Sequence, residues 1–253
     1  MKELSRAQEI DRSIIREFRV SIWNAFTKAV KTYELIQPGD RIAVCVSGGK
    51  DSMLMAKCMQ HFQKYGNIPF KLEFLCMNPG YAEENWNQIQ KNAEILQLPL
   101  RTFQTRIFEV VNKQERHPCY LCARMRRGHL YEAAKNLGCN KIALGHHFDD
   151  VIETILMGML YGSQTQTMMP KLHSANFSGM ELIRPLYFMR EADVIQWAEF
   201  HHLKFIQCAC RMTQEHPEQE TASKRKETKA LIAQLKKTNP DVEKNIFNSI
   251  CNV

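Results

Sequence analysis

The chain alternates short apolar runs with segments in which apolar residues recur at helical spacing. The first run, 42–46, is rich in β-branched residues and is typical of a buried parallel strand. Predicted strands and helices follow one another at 42–46, 53–59, 70–77, 83–96, 100–103, 141–145 and from 150 onward. This alternation predicts an α/β fold with a doubly wound parallel sheet. Because ligands bind at the carboxyl ends of such strands, the residues after 46 and after 144 are expected to face one crevice.

Helical segments flank the predicted sheet. Residues 5–35 predict an amphipathic helix that packs on the main domain, with a membrane or partner helix as the alternative. Residues 221–253 predict a basic helix followed by a short helix that begins at Pro240. The basic helix is expected either to be solvated or to contact an RNA backbone. The predicted divisions are an N-terminal helical segment (1–36), a main domain (37–212) and a basic C-terminal tail (213–253).

Composition narrows the class of protein. The 253 residues provide for one large α/β domain, with or without a small appendage, and the net charge of +7 suits a polyanionic partner. The nine cysteines do not indicate a disulfide scaffold, because Cys45, Cys58 and Cys76 lie in apolar core segments. The chain starts without a signal-peptide pattern, and no apolar run reaches the roughly 18 residues of a membrane span. We expect a soluble cytoplasmic protein with reduced thiols and no membrane partner.

The residues 47–52, Ser-Gly-Gly-Lys-Asp-Ser, predict a turn between the first strand and a helix. Glycines let backbone N–H groups approach an oxyanion, and the helix N-terminus adds partial positive charge. Lys50 adds a full charge, and Ser47 and Ser52 add hydroxyls. The turn is therefore a candidate phosphate cradle; the alternative is a tight strand-to-helix turn with a chance lysine.

This turn is not a Walker A loop, because that pattern has a glycine where the chain has Val44. The string instead resembles the PP-loop of the N-type ATP pyrophosphatases, which split ATP between its α and β phosphates. A carboxylate such as Asp51 is unusual beside a polyphosphate unless a magnesium ion bridges them.

A second motif is the Cys-x-x-Cys pair of Cys119 and Cys122, and Cys208 and Cys210 follow downstream. Such thiols form redox pairs, zinc sites or parts of iron–sulfur sites. Three interpretations stay open: ordinary buried thiols, a structural zinc ion held by all four, and a cluster held by three of them.

The segment from 116 to 141 has six Lys and Arg residues and one acidic residue, Glu132. A solvated helix face is one explanation of this charge. Because these cations lie beside the cysteines, we favour contact of Arg124, Arg126 and Arg127 with phosphates of a nucleic acid or of ATP.

A third motif, Gly-His-His-Phe-Asp-Asp at 145–150, follows a predicted strand. Asp149 or Asp150 could cap the next helix, and the two histidines could be hydrogen-bonded loop residues. The functional alternative places Asp150, with or without Asp51, on a magnesium ion that bridges ATP phosphates.

The motifs at 47–52, 119–128 and 145–150 occur in an order and at a spacing that resemble the tRNA 2-thiocytidine synthetase family, the tRNA-cytidine 32 2-sulfurtransferases. Further matching segments are 168–171, 183–186 and 206–208. The resemblance implies an adenine nucleotide α-hydrolase-like fold that uses ATP and Mg2+ to adenylate the C2 oxygen of a cytidine in the tRNA anticodon loop. Sulfur then replaces the activated oxygen.

The same resemblance implies a [4Fe-4S] cluster held by three cysteines, whose fourth iron carries the sulfur. It also implies a homodimer and a sulfur donor, either sulfide or a persulfide-carrying desulfurase. A non-catalytic nucleotide- or metal-binding regulator with a zinc-stabilised fold remains the alternative from another functional class.

By this resemblance Cys119, Cys122 and Cys208 are the cluster ligands. The family usually has Cys-x-x-Cys followed by Gly-Ser-Gln at the last place, whereas this chain has Cys-Ala-Cys-Arg. Cys210 is therefore kept as a substitute ligand, and a paralogue acting on another base or RNA as a further alternative. The expected catalytic residues are Lys50, Asp51 and Asp150. The residues expected to bind ATP are Ser47, Gly48, Gly49, Lys50, Asp51, Ser52, Met77, Gly145 and His146.

Overall fold

The computed structural model describes residues 4–111, 118–164, 167–206 and 224–250, with the backbone alone at 118 and 119. Its strands are β1 Arg41–Cys45, β2 Lys71–Asn78, β3 Leu100–Gln104, β4 Lys141–Ala143, β5 Lys171–His173 and β6 Glu181–Ile183. Its helices are α1 Arg6–Ile15, α2 Asn24–Thr32, α3 Lys50–Tyr65, α4 Glu83–Ile95, α5 Ile107–Val111, α6 Pro118–Asn136, α7 Phe148–Gly162, α8 Glu191–Phe200, α9 Lys224–Thr238 and α10 Val242–Ser249. A π-helical segment, Arg19–Trp23, precedes α2.

The strands form one sheet in the order β3-β2-β1-β4-β6-β5. Strands β1, β2, β3, β4 and β6 are parallel, with Val44 of β1 opposite Phe74 on one side and Ala143 on the other. This arrangement confirms the predicted α/β doubly wound parallel sheet. The strand order reverses between β1 and β4, so the loops that follow these two strands flank one crevice at the carboxyl edge.

An antiparallel edge strand was not predicted. Strand β5 pairs antiparallel with β6, with Leu172 opposite Leu182. Each of these strands has three residues, which is too short for alternation to stand out in a sequence. An antiparallel edge on an otherwise parallel sheet is common.

The N-terminal segment is not the single helix predicted over 5–35. Every fourth residue of it is buried, namely Ile10, Ile14, Phe18, Ile22, Phe26 and Val30. Four residues overshoot one turn of an α-helix by ~40°, so a straight helix would rotate these side chains away from the core. The chain corrects this drift with the wider turns of the π-helical segment, where the Phe18 carbonyl accepts hydrogen bonds from the backbone of both Ile22 and Trp23.

One apolar cluster joins the three predicted segments of the chain. It includes Ile14 from α1, Val44 from β1 and Ile152 from α7, together with Ile232 and Phe247 from the C-terminal helices. The three predicted segments therefore share one core. The boundaries between them at residues 36 and 212 stay a prediction.

The cysteines predicted to lie in the core do so, since Cys45, Cys58 and Cys76 are at most 6% exposed. Burial raises the pKa of Cys45 and Cys76 to about 12, which keeps both thiols protonated. Across the described ranges, no helix is long and apolar enough to cross a bilayer.

Candidate functional site

The PP-loop, 47–52, joins β1 to α3 at the carboxyl edge of the sheet. Gly48 has a φ of +89°, and a Cβ at this position would lie 2.5 Å from Ile89 Cγ1 and 2.9 Å from Ile206 Cδ1. Backbone conformation and crowding both require glycine here. The loop is therefore packed between Ile89 of α4 and Ile206.

Two serines hold the turn in shape. Ser52 Oγ accepts hydrogen bonds from Ser47 N and Ser47 Oγ, both at 3.1 Å, and donates one to the Gly49 carbonyl at 2.9 Å. Helix α3 begins directly afterwards at Lys50, with Gly49 as an N-cap that contributes no side chain. Because the first amides of a helix have no intrahelical acceptor, this end of α3 suits a phosphate.

The loop after β4 packs directly on the PP-loop. A Cβ on Gly145 would lie 3.0 Å from Ser52 N and 3.1 Å from the carbonyl carbon of Asp51. This close backbone approach explains the glycine by packing, and its contact with a nucleotide stays a prediction. His146 accepts a hydrogen bond from Arg184 Nε at 3.3 Å. Burial and this guanidinium lower the pKa of His146 to about 4, so its imidazole is neutral.

Lys50 lies between two carboxylates at the start of α3. Its Nζ is 3.2 Å from Asp51 Oδ2 and 3.1 Å from Glu191 Oε1. Burial alone would lower the pKa of Lys50, but the two carboxylates outweigh it and raise the pKa above its ordinary value. The ammonium therefore stays charged, as phosphate binding requires. Sequence reasoning missed Glu191, because nothing in its neighbourhood signals a contact with a loop 141 residues away.

His147 and Asp150 form a capping box at the start of α7. His147 Nδ1 accepts from Asp150 N at 3.4 Å, and Asp150 Oδ2 accepts from His147 N at 3.1 Å. The expectation that an aspartate is the cap was wrong in detail, because His147 is the N-cap and Asp150 completes the box. Asp149 instead accepts hydrogen bonds from Arg190 Nη2 at 2.8 Å and from Glu191 N at 2.7 Å, which holds the start of α8.

The carboxylates of Asp51 and Asp150 face the same imidazole and fit a magnesium ion. His147 Nε2 is 3.7 Å from Asp51 Oδ1 and 3.5 Å from Asp150 Oδ2. Asp51 Oδ1 is buried and has no hydrogen-bond partner within the described parts of the chain, and such an oxygen suits a hard cation. The described residues hold no group of three or more His, Cys, Asp or Glu side chains arranged for a metal. Substrate phosphates would therefore have to complete the ligand set, as is usual for Mg2+.

Helix α9 brings two cations to these carboxylates. Arg225 Nη1 lies 2.8 Å from Asp150 Oδ1. Lys229 Nζ pairs with Glu191 Oε2, and Lys50 Nζ pairs with the other oxygen of that carboxylate, Oε1. Both side chains are about half exposed, and the contact of this tail with an RNA backbone stays a prediction. The i, i+4 spacing of the two cations was visible in the sequence, but their target was not.

Tyr81 links the PP-loop to α6, the helix of the Cys-x-x-Cys motif. Its hydroxyl donates to the Ser47 carbonyl at 3.3 Å and accepts from Arg126 Nη2 at 3.0 Å. The turn that carries Tyr81 is held by Asn78, whose Oδ1 accepts from Gly80 N at 3.0 Å and from Tyr81 N at 2.8 Å. Sequence reasoning missed Tyr81, although its place just after a strand at the carboxyl edge was a usable signal.

Cys122 is half-buried on α6, against the apolar cluster that contains Met77 and Phe108. Cys119 lies in the first turn of the same helix, with its side chain outside the described part. Cys208 and Cys210 lie outside the described residues. The set of cluster ligands therefore stays a prediction.

Met77, predicted to bind ATP, has a side chain 3% exposed that packs with Ile107 and Phe108. The structure explains this residue by core packing, and its contact with a nucleotide stays a prediction. Among the three arginines expected to bind RNA, Arg124 and Arg127 are exposed, and Arg126 is half-buried.

The sequence matches a family model and several curated relatives. A family model described as the PP-loop domain matches residues 20–215. A tRNA-cytidine(32) 2-sulfurtransferase of Anaeromyxobacter dehalogenans (strain 2CP-C) is 31% identical over 253 residues, which cover 99% of this chain and 82% of the relative. A protein of the same name from Vibrio campbellii is 34% identical over 246 residues, with 94% and 77% covered. One from Neisseria meningitidis serogroup A is 37% identical over 191 residues, with 73% and 59% covered.

A solved structure also resembles this one. The U34-tRNA thiolase NcsA from Methanococcus maripaludis, determined with its [4Fe-4S] cluster, superposes with a TM-score of 0.68. It is 23% identical, and the match covers 89% of this chain and 76% of that chain. At this identity the likeness concerns the fold, and it agrees with the parallel sheet and the crevice described above.

Proposed function

This chain belongs to the tRNA-cytidine(32) 2-sulfurtransferase family of PP-loop proteins, and from that premise we propose that it uses ATP to exchange the C2 oxygen of a tRNA cytidine for sulfur. The relatives' name specifies cytidine 32, which makes that base the expected substrate. The cluster of the thiolase with a similar fold supports iron–sulfur chemistry for this chain.

The observation that carries the proposal is the hydrogen-bonded path from the PP-loop to α6. The Ser47 carbonyl, the Tyr81 hydroxyl and the Arg126 guanidinium follow one another at 3.3 and 3.0 Å. Arg126 lies one helical turn after Cys122. Thiolation requires that activation and sulfur delivery reach the same base, and this path holds the two elements side by side.

ATP converts a poor leaving group into a good one. The C2 carbonyl oxygen attacks the α-phosphorus, pyrophosphate departs, and the adenylated oxygen later leaves as AMP when sulfur bonds to C2. Lys50 and the first amides of α3 stabilise the charge on the departing pyrophosphate. Gly48 lets the backbone approach the phosphates. With sulfide as the donor this exchange needs no oxidant or reductant.

Asp51 and Asp150 would hold the magnesium ion. Burial would raise the pKa of Asp150, but His147 and Arg225 outweigh it and lower the pKa below its ordinary value. Asp150 is therefore ionised at neutral pH and able to bind a cation. A magnesium ion held by these two carboxylates would neutralise part of the charge on the phosphates.

Cys119, Cys122 and Cys208 would hold a [4Fe-4S] cluster, with Cys210 as the substitute third ligand. The donor set fits, because thiolates are the usual ligands of such clusters. Three thiolates would leave one iron without a protein ligand, and such a cluster would supply an open position for sulfur. A structural zinc ion held by four thiolates has no such open position.

The proposed partners follow from this reaction. They are a tRNA whose phosphates meet the exposed Arg124 and Arg127, and a sulfur donor, either sulfide or a persulfide-carrying desulfurase together with a thiol reductant that supplies two electrons. We further propose a homodimer and a cytoplasmic location.

Mass spectrometry of tRNA nucleosides tests the proposed function. A deletion strain should lack 2-thiocytidine, and the intact gene should restore it, whereas a Lys50→Ala gene should not. Unchanged 2-thiocytidine in the deletion strain would contradict the proposal. Loss of a different thiolated nucleoside would instead identify a paralogue with another target base.

A further inference from the structure

Helix α9 turns two cations inward, toward the PP-loop site. Residues 225, 228, 229 and 232 share one helix face by their spacing. On this face Thr228 and Ile232 are 1% and 5% exposed, and Arg225 and Lys229 continue it toward Asp150 and Glu191. The two cations lie at the half-exposed edge of this face, and each pairs with a carboxylate next to the PP-loop site.

The position of α9 is fixed by the helix that follows it. Phe247 of α10 stacks on Phe148 of α7, with ring centroids 4.6 Å apart. Glu243 of α10 accepts a hydrogen bond from Arg190 at 2.7 Å, and the same guanidinium donates to Asp149 at 2.8 Å. Helix α9 is therefore a built-in wall of the site.

The charges around this wall suit both a metal ion and an anion. The carboxylates are Asp51, Asp150, Glu153 and Glu191, and the cations are Lys50, Arg225 and Lys229. A magnesium ion on Asp150 would take the oxygen partner of Arg225. Arg225 would then be unpaired, and the site would carry more positive than negative charge. A polyphosphate would neutralise this excess.

We propose that Arg225 and Lys229 bind the β- and γ-phosphates of ATP, so that the C-terminal helix completes the nucleotide site. This inference rests on the proposed function, because it takes the PP-loop to bind ATP. The planar guanidinium of Arg225 matches two phosphate oxygens at once. Lys229 shares the Glu191 carboxylate with Lys50, so the two ammonium groups are close enough to bind the same phosphate chain. Both α9 side chains are about half exposed, at 47% and 56%, so each is accessible to a ligand.

Calorimetric titration of the full chain with α,β-methylene-ATP, pyrophosphate and AMP, each with Mg2+, tests this role. Arg225→Ala and Lys229→Ala should each weaken the binding of the ATP analogue and of pyrophosphate by ~10- to 100-fold, the size expected for a hydrogen bond to a charged group. AMP affinity should stay the same, because AMP lacks the β- and γ-phosphates. Arg225→Lys keeps the charge but cannot bind two phosphate oxygens in the same plane, so a smaller loss of affinity is expected. Lys237→Ala, exposed on the same helix, is the matched control and should bind as the wild type does.

Each of the following results would overturn the inference. Wild-type affinity in both alanine variants would leave α9 a purely structural wall, and tighter binding would make it a competitor of the nucleotide. An equal loss of AMP affinity would contradict a contact with the β- and γ-phosphates, and an equal loss in Lys237→Ala would contradict a role particular to Arg225 and Lys229. If the wild type itself binds none of the three ligands, the nucleotide assignment fails as well. If the wild type binds them and forms 2-thiocytidine while the variants match it, only the role of α9 fails.

Discussion

Gly48 lies so close to Ile89 that a Cβ on the glycine would be 2.5 Å from Ile89 Cγ1. Gly39 has nearly the same backbone conformation, with a φ of +86°, but a Cβ on Gly39 would have nothing within 4 Å. Alanine substitutions at the two glycines therefore distinguish the cost of backbone strain from the cost of crowding.

Gly39→Ala should lower the free energy of unfolding by ~1–2 kcal/mol, the cost of a left-handed conformation. Gly48→Ala should cost a further ~1–3 kcal/mol through crowding and should abolish binding of α,β-methylene-ATP. Denaturant melts and calorimetry measure both effects. Equal stability of the two variants, with nucleotide binding intact in Gly48→Ala, would contradict the close packing of the PP-loop.

Single substitutions of the cysteines distinguish an iron–sulfur cluster from a structural zinc ion. Cys119→Ala, Cys122→Ala and Cys208→Ala should each lose iron and all thiolation but still bind ATP, because a cubane with three protein thiolates cannot spare one. Cys210→Ala is the matched control and should keep most of both. Anaerobic iron and zinc analysis with thermal melts measures this.

Four equal losses of zinc, each with lower stability and no iron in the wild type, would support the zinc-stabilised regulator instead. Loss of iron with Cys210→Ala but not with Cys208→Ala would keep the mechanism and move the third ligand by two residues.

The arginines of α6 should contribute to the salt dependence of tRNA binding. Arg124→Ala and Arg127→Ala should each reduce the slope of log affinity against log salt by about one unit, because each exposed guanidinium releases counterions from a phosphate. Arg126→Ala should change the slope less, since one of its nitrogens already donates to Tyr81. Lys91→Ala, exposed on α4, serves as the control. Identical slopes in all these variants would assign the arginines to ATP or to the fold.

Acid should weaken the docking of α10. Burial would raise the pKa of Glu243, but hydrogen bonds from Arg190 and Lys236 outweigh it and lower the pKa below the ordinary value of 4.5. A carboxylate with a lowered folded-state pKa stabilises the protein above its unfolded-state pKa, and this contribution disappears as the pH falls through the folded-state pKa.

Glu243→Gln should therefore lower the free energy of unfolding by ~1–2 kcal/mol at pH 7. This difference from the wild type should shrink below about pH 4. Anaerobic thermal melts across this pH range measure it, with Glu94→Gln, exposed on α4, as the control. A difference that does not change with pH would contradict the ion-pair explanation.

The parts of the fold that depend on local pattern were predictable. The apolar run of β1 and the glycine turn after it predict a strand, a phosphate cradle and a helix, and Gly48 and Lys50 lie where that pattern puts them. The interruption of the N-terminal helix was also predictable in principle, because the regular spacing of four from Ile10 to Val30 does not fit a straight α-helix.

The parts of the site that depend on distant pairing were not predictable. Arg225 meets Asp150 across 75 residues, and Lys50 meets Glu191 across 141 residues. A single sequence contains no signal for such contacts, so the basic helix was interpreted by its charge alone. Tyr81 shows an intermediate case, since its strand end was evident but its bond to the Ser47 carbonyl required the three-dimensional turn.

We propose that the protein cleaves ATP between its α and β phosphates in order to thiolate a tRNA cytidine. The most direct measurement incubates the anaerobically purified protein with tRNA, sulfide, Mg2+ and radiolabelled ATP, and compares the products with the 2-thiocytidine formed. We predict one AMP and one pyrophosphate for each 2-thiocytidine, and a loss of ~100- to 1,000-fold in this rate for Lys50→Ala with its iron content unchanged. Release of ADP and phosphate, or AMP formation without thiolated cytidine, would contradict the account.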